Sequence, residues 1–397
     1  MSRQTYLVGL LGSVAGALFV ISGAARADGP VAALPASLQE LYQDTATALA
    51  ASPYDVFTAP PKPWRWCHSE SYQGNPWRVS VTNELRRLVE QQRAGGIVSD
   101  FEVSDSGNDT SRQIAQIRAL IDKKCSIISM VAGSATGLDG AIEAAFKAGI
   151  PVITAAGSVT SPYAVNVDSN YVRWGGDMIR AIDTSLGGKG NLLLVEGIAG
   201  HPIVVQERAG ADKALAAAPG LHVVRAVNGN WTANVTKTVV LQALATSPQK
   251  IDAVWTTGSE SRVVAEAFAQ AGRPAPLITG SVSGDALGYW KANPDRYRFE
   301  GNAVLPSWTA QTLFRVGMRV LQGEQPRLST LMIPIPPVHG ADLDKWYAPC
   351  LKADSVSLFP LAPQDPMPDE LMDAYFKRPA VVAGYNYGAA PGPCAAN

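Results

Sequence analysis

The chain has 397 residues with 33 basic and 34 acidic side chains, a formal net charge of −1, 47% apolar residues and only 17% charged ones. That composition excludes intrinsic disorder, and the balanced charge argues against nucleic acid as a partner. The length exceeds one ordinary hydrophobic core, so two lobes with a cleft between them are expected.

Taken in order, the chain starts with Arg3 ahead of an apolar run from Tyr6 to Ile21, closed by Ala25-Arg26-Ala27. Residues 1–27 therefore read as a cleaved signal peptide, too short and too rich in Gly and Ser to span a membrane, and the mature chain is expected in the periplasm. No later stretch reaches the roughly 20 apolar residues of a span. Residues 28–63 read as an amphipathic helix over 31–51 followed by a Pro-rich link. From Trp64 the pattern alternates: strands at 64–69, 96–103, 125–131 and 151–155, with helices at 76–94, 111–123 and 137–148. A second series follows, with helices at 171–186, 205–217, 233–245 and 260–270, and strands at 190–196, 222–228, 251–256 and 276–280. A strand at 301–305, a helix at 307–321 and an apolar run at 333–338 precede an irregular tail. Strands and helices of these lengths imply parallel sheets covered on both faces, hence an α/β class with two doubly wound, Rossmann-like lobes.

Four cysteines in an exported chain allow three pairings. Cys350 with Cys394 is favoured, because a crosslink would restrain the Pro-rich tail. Cys67 closes one expected strand and Cys125 opens another; if those strands run parallel, the sulfurs lie at opposite ends, so both are expected as buried thiols. No Cys/His spacing suggests zinc, and His68 with Glu70 supplies too few ligands for a metal.

Ligands of open α/β sheets bind beyond the carboxyl ends of the strands. The residues just after each strand are therefore the candidates: Tyr72, Trp77, Ser134, Ser158, Trp231, Glu260, Ser283 and Trp308. Trp231, among Gly229, Asn230 and Thr232, is poorly placed for a core residue and reads as a stacking platform. Trp77 opens a helix behind Pro76 and could equally pack on the sheet. Glu70 and Glu260 could receive an amine or hydroxyl, or be exposed loop carboxylates. Gly187-Gly188-Lys189-Gly190 lacks the spacing of a phosphate loop and reads as a turn.

Gly74-Asn75-Pro76-Trp77, Ala148-Gly149-Ile150-Pro151-Val152-Ile153-Thr154, Val167-Asp168-Ser169-Asn170, and Gly197-Ile198-Ala199-Gly200 followed by Gln206-Glu207-Arg208-Ala209-Gly210 resemble, in order and spacing, the ribose- and galactose-type periplasmic binding proteins of ABC importers. The resemblance covers 64–323. It implies that Asn75 and Trp77 are the polar and stacking residues of the N-terminal lobe, Arg208 the arginine of the C-terminal lobe and Trp231 the facing aromatic. Other hydroxyl-binding positions of the family fall on Ala156-Gly157, Gly258-Ser259, Val282 and Val304. A site stripped of those partners would bind an ordinary pentose poorly, at about 0.5–1.5 kcal/mol per lost bond.

The expected protein is thus a periplasmic solute-binding protein, monomeric and without cofactor or metal. It closes its lobes over a sugar, a polyol or a flatter, less polar molecule and presents the closed form to an inner-membrane ABC permease. Hinge strands are expected near Asp168, Val304 and Ile335, with the N-terminal lobe at 64–168 plus 305–332, the C-terminal lobe at 169–304, and a third crossing and extension at 333–397. A periplasmic receptor feeding a chemoreceptor or histidine kinase fits the same pattern. An exported enzyme would need a nucleophile and base, and no Gly-x-Ser-x-Gly or poised Cys/His pair is present.

Overall fold

In the computed structural model, which describes residue 1 and residues 29–45, 50–378 and 391–395, the expected signal peptide lies outside the described residues apart from Met1. The alternation opens with β1 (Trp64–Glu70), an almost wholly buried strand whose Trp66, Cys67, His68 and Glu70 are shielded from solvent. Asn75 caps α2 (Pro76–Ala94) by accepting from the Arg78 N–H, and Pro76 supplies the pre-set first turn. Then follow β2 (Val98–Asp105), α3 (Thr110–Asp122), β3 (Ile127–Val131), α4 (Asp139–Lys147), β4 (Val152–Ala155) and β5 (Ala164–Asp168). The second half runs α5 (Tyr171–Leu186), β6 (Gly190–Glu196), α6 (Pro202–Ala217), β7 (Leu221–Asn228), α7 (Ala233–Thr246), β8 (Ala253–Thr256), α8 (Ser261–Gln270), β9 (Leu277–Ile278) and α9 (Gly284–Ala292). β10 (Arg298–Asn302), α10 (Pro306–Leu321), β11 (Thr330–Met332) and β12 (Pro337–His339) complete the sheets.

Two six-stranded sheets result, ordered β11-β5-β4-β3-β1-β2 and β12-β10-β9-β8-β6-β7. Every neighbouring pair is parallel except β10 with β12. The chain leaves the first sheet after β5. It returns after β10 through α10, which packs on α2 and β4, and leaves again between β11 and β12.

Several local expectations are corrected. The helix over 31–51 is broken into a 3-10 turn (Pro30–Ala33), a short helix α1 (Ala36–Gln39) and another 3-10 turn (Glu40–Tyr42), because Pro35 interrupts it. Just beyond, the Asn170 side-chain amide takes the Leu41 and Gln43 carbonyls at 3.0 and 2.5 Å. The strand expected at 301–305 is β10, three residues earlier, and β5, α9 and β11 are additional elements. Cys67 and Cys125 are not thiols: they form a disulfide, as do Cys350 and Cys394. The strands are indeed parallel, but Cys67 sits mid-strand opposite Ile128, only three residues beyond Cys125, and the Ser126 N–H donates to the Arg65 carbonyl.

Helices α5 and α6 approach so closely that only glycine fits. A Cβ on Gly175 would lie 2.0 Å from the Glu207 carbonyl oxygen, and one on Gly210 would lie 1.7 Å from that of Val172. Gly210→Ala is expected to destabilise by about 3 kcal/mol through overpacking. Gly140→Ala, where a Cβ meets nothing, should be neutral or stabilising by up to about 1 kcal/mol. Urea titration of both variants measures the contrast.

Candidate functional site

Between the sheets lies a cleft, partly open to solvent and walled by residues from both sides. Trp77 and Arg78 come from the first turn of α2, Tyr171 and Trp174 from the first turn of α5, Ile203 and Glu207 from α6, and Trp231 from the turn after β7. Thr257, Gly258, Ser259 and Glu260 follow β8. The strand-to-helix turns thus converge as they must in doubly wound sheets.

Trp231 is held under constraint. Asn230 and Trp231 both take left-handed φ values, 54° and 51°, a conformation unfavourable for so bulky a side chain. The turn lays the indole against Gly197 and Gly258, where a Cβ would meet the ring at 2.2 and 2.7 Å. Its Nε1 donates to the Thr257 carbonyl at 3.1 Å, and the His201 ring packs on it edge to face at 5.0 Å.

Contacts span the two sides. Trp77 Nε1 donates to the Val304 carbonyl at 2.7 Å, Asn75 Nδ2 to the Trp231 carbonyl at 3.4 Å, and the Tyr72 hydroxyl lies 3.5 Å from the Thr232 hydroxyl. Deeper in, the buried Arg78 guanidinium bridges Glu70 at 3.4 Å and His201 Nε2 at 3.3 Å, and Glu70 also faces His68 at 3.3 Å. Burial and the Arg78 charge hold His201 down to about 3, so its ring is neutral.

The carboxyls behave oppositely. Burial pushes Glu260 up to about 7, with the Asp285 charge adding to it. Glu207 is fully buried, and neither carboxyl oxygen has a hydrogen-bond partner among the described residues. Desolvation raises it well above the ordinary range, reinforced by Glu196 and Glu260; Thr257 is near enough to offset part of this, though outside hydrogen-bonding geometry. At the first exit from the N-terminal sheet, burial also raises Asp168 to about 6, against the Ser158 hydroxyl and the Ser169 and Gly157 amides that favour its charge.

Of the residues singled out from the sequence, Asn75, Trp77, Trp231 and Glu260 line the cleft, and Tyr72 folds over Gly74 near its mouth. The others do not line it. Ser134 caps the turn at Gly137, Ser158 donates to Asp168, and Ser283 donates to Asp285 at 2.6 Å. Trp308 is buried beside Asp168, Ile333 and Ile335 in a smaller cavity at the crossings. Arg208 turns outward to Glu196 at 2.6 Å and Asp212 at 2.7 Å. One residue of helix is a rotation of about 100°, so its neighbour Glu207 takes the inward position. Arg78, Tyr171, Trp174 and Glu207 were missed. The Asn75 and Asn170 caps could have flagged Arg78, Tyr171 and Trp174, because cap residues mark helix ends that face the cleft.

Residues 69–296 match the family described as "Periplasmic binding protein domain". The chain belongs to that family. It is similar to a curated xylitol-binding protein of Mycolicibacterium smegmatis, 26% identical over 179 residues, which is 45% of this chain and 51% of that protein. The match thus spans about half the relative's length. Among solved structures it resembles an ABC transporter solute-binding protein from Thermobispora bispora, with 27% identity, 76% of this chain and 92% of the other covered, and a TM-score of 0.68. A solute-binding protein from Mycobacterium smegmatis with bound glycerol shares the fold, at 17% identity, 76% and 100% coverage and a TM-score of 0.66. These relatives are binding proteins rather than enzymes.

Two outcomes follow for the site. Arg78→Met leaves Glu70 buried without its cation and is expected to destabilise by about 3–5 kcal/mol, measured by denaturant titration. Glu260 ionises near 4.5 when unfolded and near 7 when folded, so its stabilising contribution is complete below the former and lost as pH rises through the latter. Melting of the ligand-free Glu260→Gln variant should therefore fall less between about pH 5 and about pH 8 than that of the parent chain.

Proposed function

We propose that this chain is the solute-binding component of an ABC-type importer. Exported by its 1–27 leader, it works as a periplasmic monomer, closes over one small polyhydroxylated or ring-bearing molecule, and is read in that closed form by an inner-membrane permease. The observation that carries this reading is the set of bonds made across the cleft by Tyr72, Asn75, Trp77 and Arg78, all from the segment after β1, to the opposite wall. Such contacts need the two walls close together, so a ligand touching both walls shifts the population toward the closed arrangement.

Support for the ligand class comes from the xylitol-binding relative and from the ring face of Trp231. The cleft departs from a hydroxyl-binding site in having Ala156, Gly258 and Val304 on its walls, which suits a ligand with one apolar face. The test is the melting temperature of refolded, ligand-stripped protein against xylitol, myo-inositol, glycerol, pentoses and hexoses. A binder at 100 times its Kd adds about 2.7 kcal/mol of stability. Trp231→Ala should weaken that binder roughly tenfold or more. If nothing in the panel, and neither D-glucosamine nor glucamine, raises the melting temperature or compacts the protein in solution scattering, this reading fails.

A further inference from the structure

We infer that the solute carries a protonated nitrogen, and that Glu207 and Glu260 receive it while its ring or carbon face lies on Trp231. The inference rests on the solute-binding reading above and specifies the chemistry of that solute. Its basis is the charge balance of the cleft. Of the basic side chains around it, Arg78 is matched by Glu70, Arg208 by Glu196 and Asp212, and Arg262 by Asp285 and Glu266. His201 is neutral. Glu207 and Glu260 are left, and among the described residues no basic side chain pairs with either.

A neutral polyol would meet Glu207 in its protonated, uncharged form and gain hydrogen bonds alone, whereas a cation can exchange for that proton and add an ion pair at a buried position where charge pairing is strong. An ammonium supplies both the donors and the charge. Three indoles, those of Trp77, Trp174 and Trp231, and the phenol of Tyr171 line the same cleft. Aromatic faces attract a cation and tolerate the methylene groups attached to it. The helix phase of α6 places a carboxyl where the family resemblance implies an arginine, reversing the sign of the charge offered to the solute.

Burial favours the protonated Glu207 carboxyl in the free site, and the ammonium takes the place of that proton. Binding is then R–NH₃⁺ plus the Glu207 carboxylic acid giving the carboxylate–ammonium pair and a released proton. The groups that bear on this proton are Glu196, Glu260 and Thr257 on the β6, β8 and α8 side and Tyr171 on the adjoining α5, with Arg78 across the cleft.

The experiment is titration calorimetry with size-matched pairs, D-glucosamine with D-glucose and glucamine with sorbitol, in two buffers of different ionisation enthalpy. The amine of at least one pair should bind roughly tenfold or more tighter than its neutral partner and release close to one proton. Glu207→Gln, which keeps the shape, should erase both differences; Glu260→Gln is the second variant should the first fold poorly. If neutral and amine partners bind alike without proton release, the inference is overturned while the solute-binding reading stands. If no amine binds, the inference falls as well, and the neutral polyols decide whether the broader reading falls with it.

Discussion

Closing two lobes removes water from whatever lies between them, and every polar group caught there must find a partner in the protein or in the solute. That constraint organises the centre of this molecule. On one side it is met internally: Glu70, Arg78, His68 and His201 form a buried line across the cleft in which a cation has a carboxylate on one flank and a neutral imidazole on the other. On the other side it is not met among the described residues: Glu207 is as deeply buried as Glu70 but has no such neighbour there. The two halves of the cleft thus differ in kind, one complete in itself and one completed from outside.

What fixes Glu207 there is helix packing. The α5–α6 crossing requires Gly175 against the backbone of Glu207 and Gly210 against the backbone of Val172, which leaves α6 no freedom to rotate. With the phase locked, Glu207 faces inward and Arg208 faces Glu196 and solvent. The same crossing sets the start of α5, where Tyr171 and Trp174 reach the cleft and Trp174 donates to Asn302 at 2.8 Å. A helix crossing that depends on two glycines therefore governs the electrostatics of the site.

Much of the architecture was legible in the sequence because long amphipathic helices and buried apolar strands declare themselves by period, as at 76–94 and 190–196. The elements that escaped were short or spoke a weaker language. β5 and β11, at Ala164–Asp168 and Thr330–Met332, carry Asn166 and Thr330, whose side chains bond to each other while Asn166 also accepts from the Val159 N–H, and Asp168, which accepts from Ser158. The cysteine reading placed Cys67 at a strand end when it sits mid-strand, an error of three residues that decided whether two sulfurs could meet. At the site, candidates in turns, Trp231 and Glu260 among them, do line the cleft. Arg208 was placed in the cleft by the family resemblance, which does not reveal helix phase to within one residue; Arg208 faces Glu196 and Asp212, and Glu207 faces the cleft.

The C-terminal segment bears on the mechanics. It lies first on α9, where Gly284 donates to the Leu358 carbonyl at 3.0 Å, and next on α10, where Arg315 pairs with Asp365 at 3.7 Å. Those anchors belong to opposite sheets and are joined by a short stretch of chain, so the polypeptide ties the lobes together once more outside the strands that pass between them. A fully extended run of that length reaches about 24 Å at most. While both anchors hold, that reach is a ceiling on how far the two surfaces they grip can separate, a limit on the swing of the jaws imposed by the length of a tether.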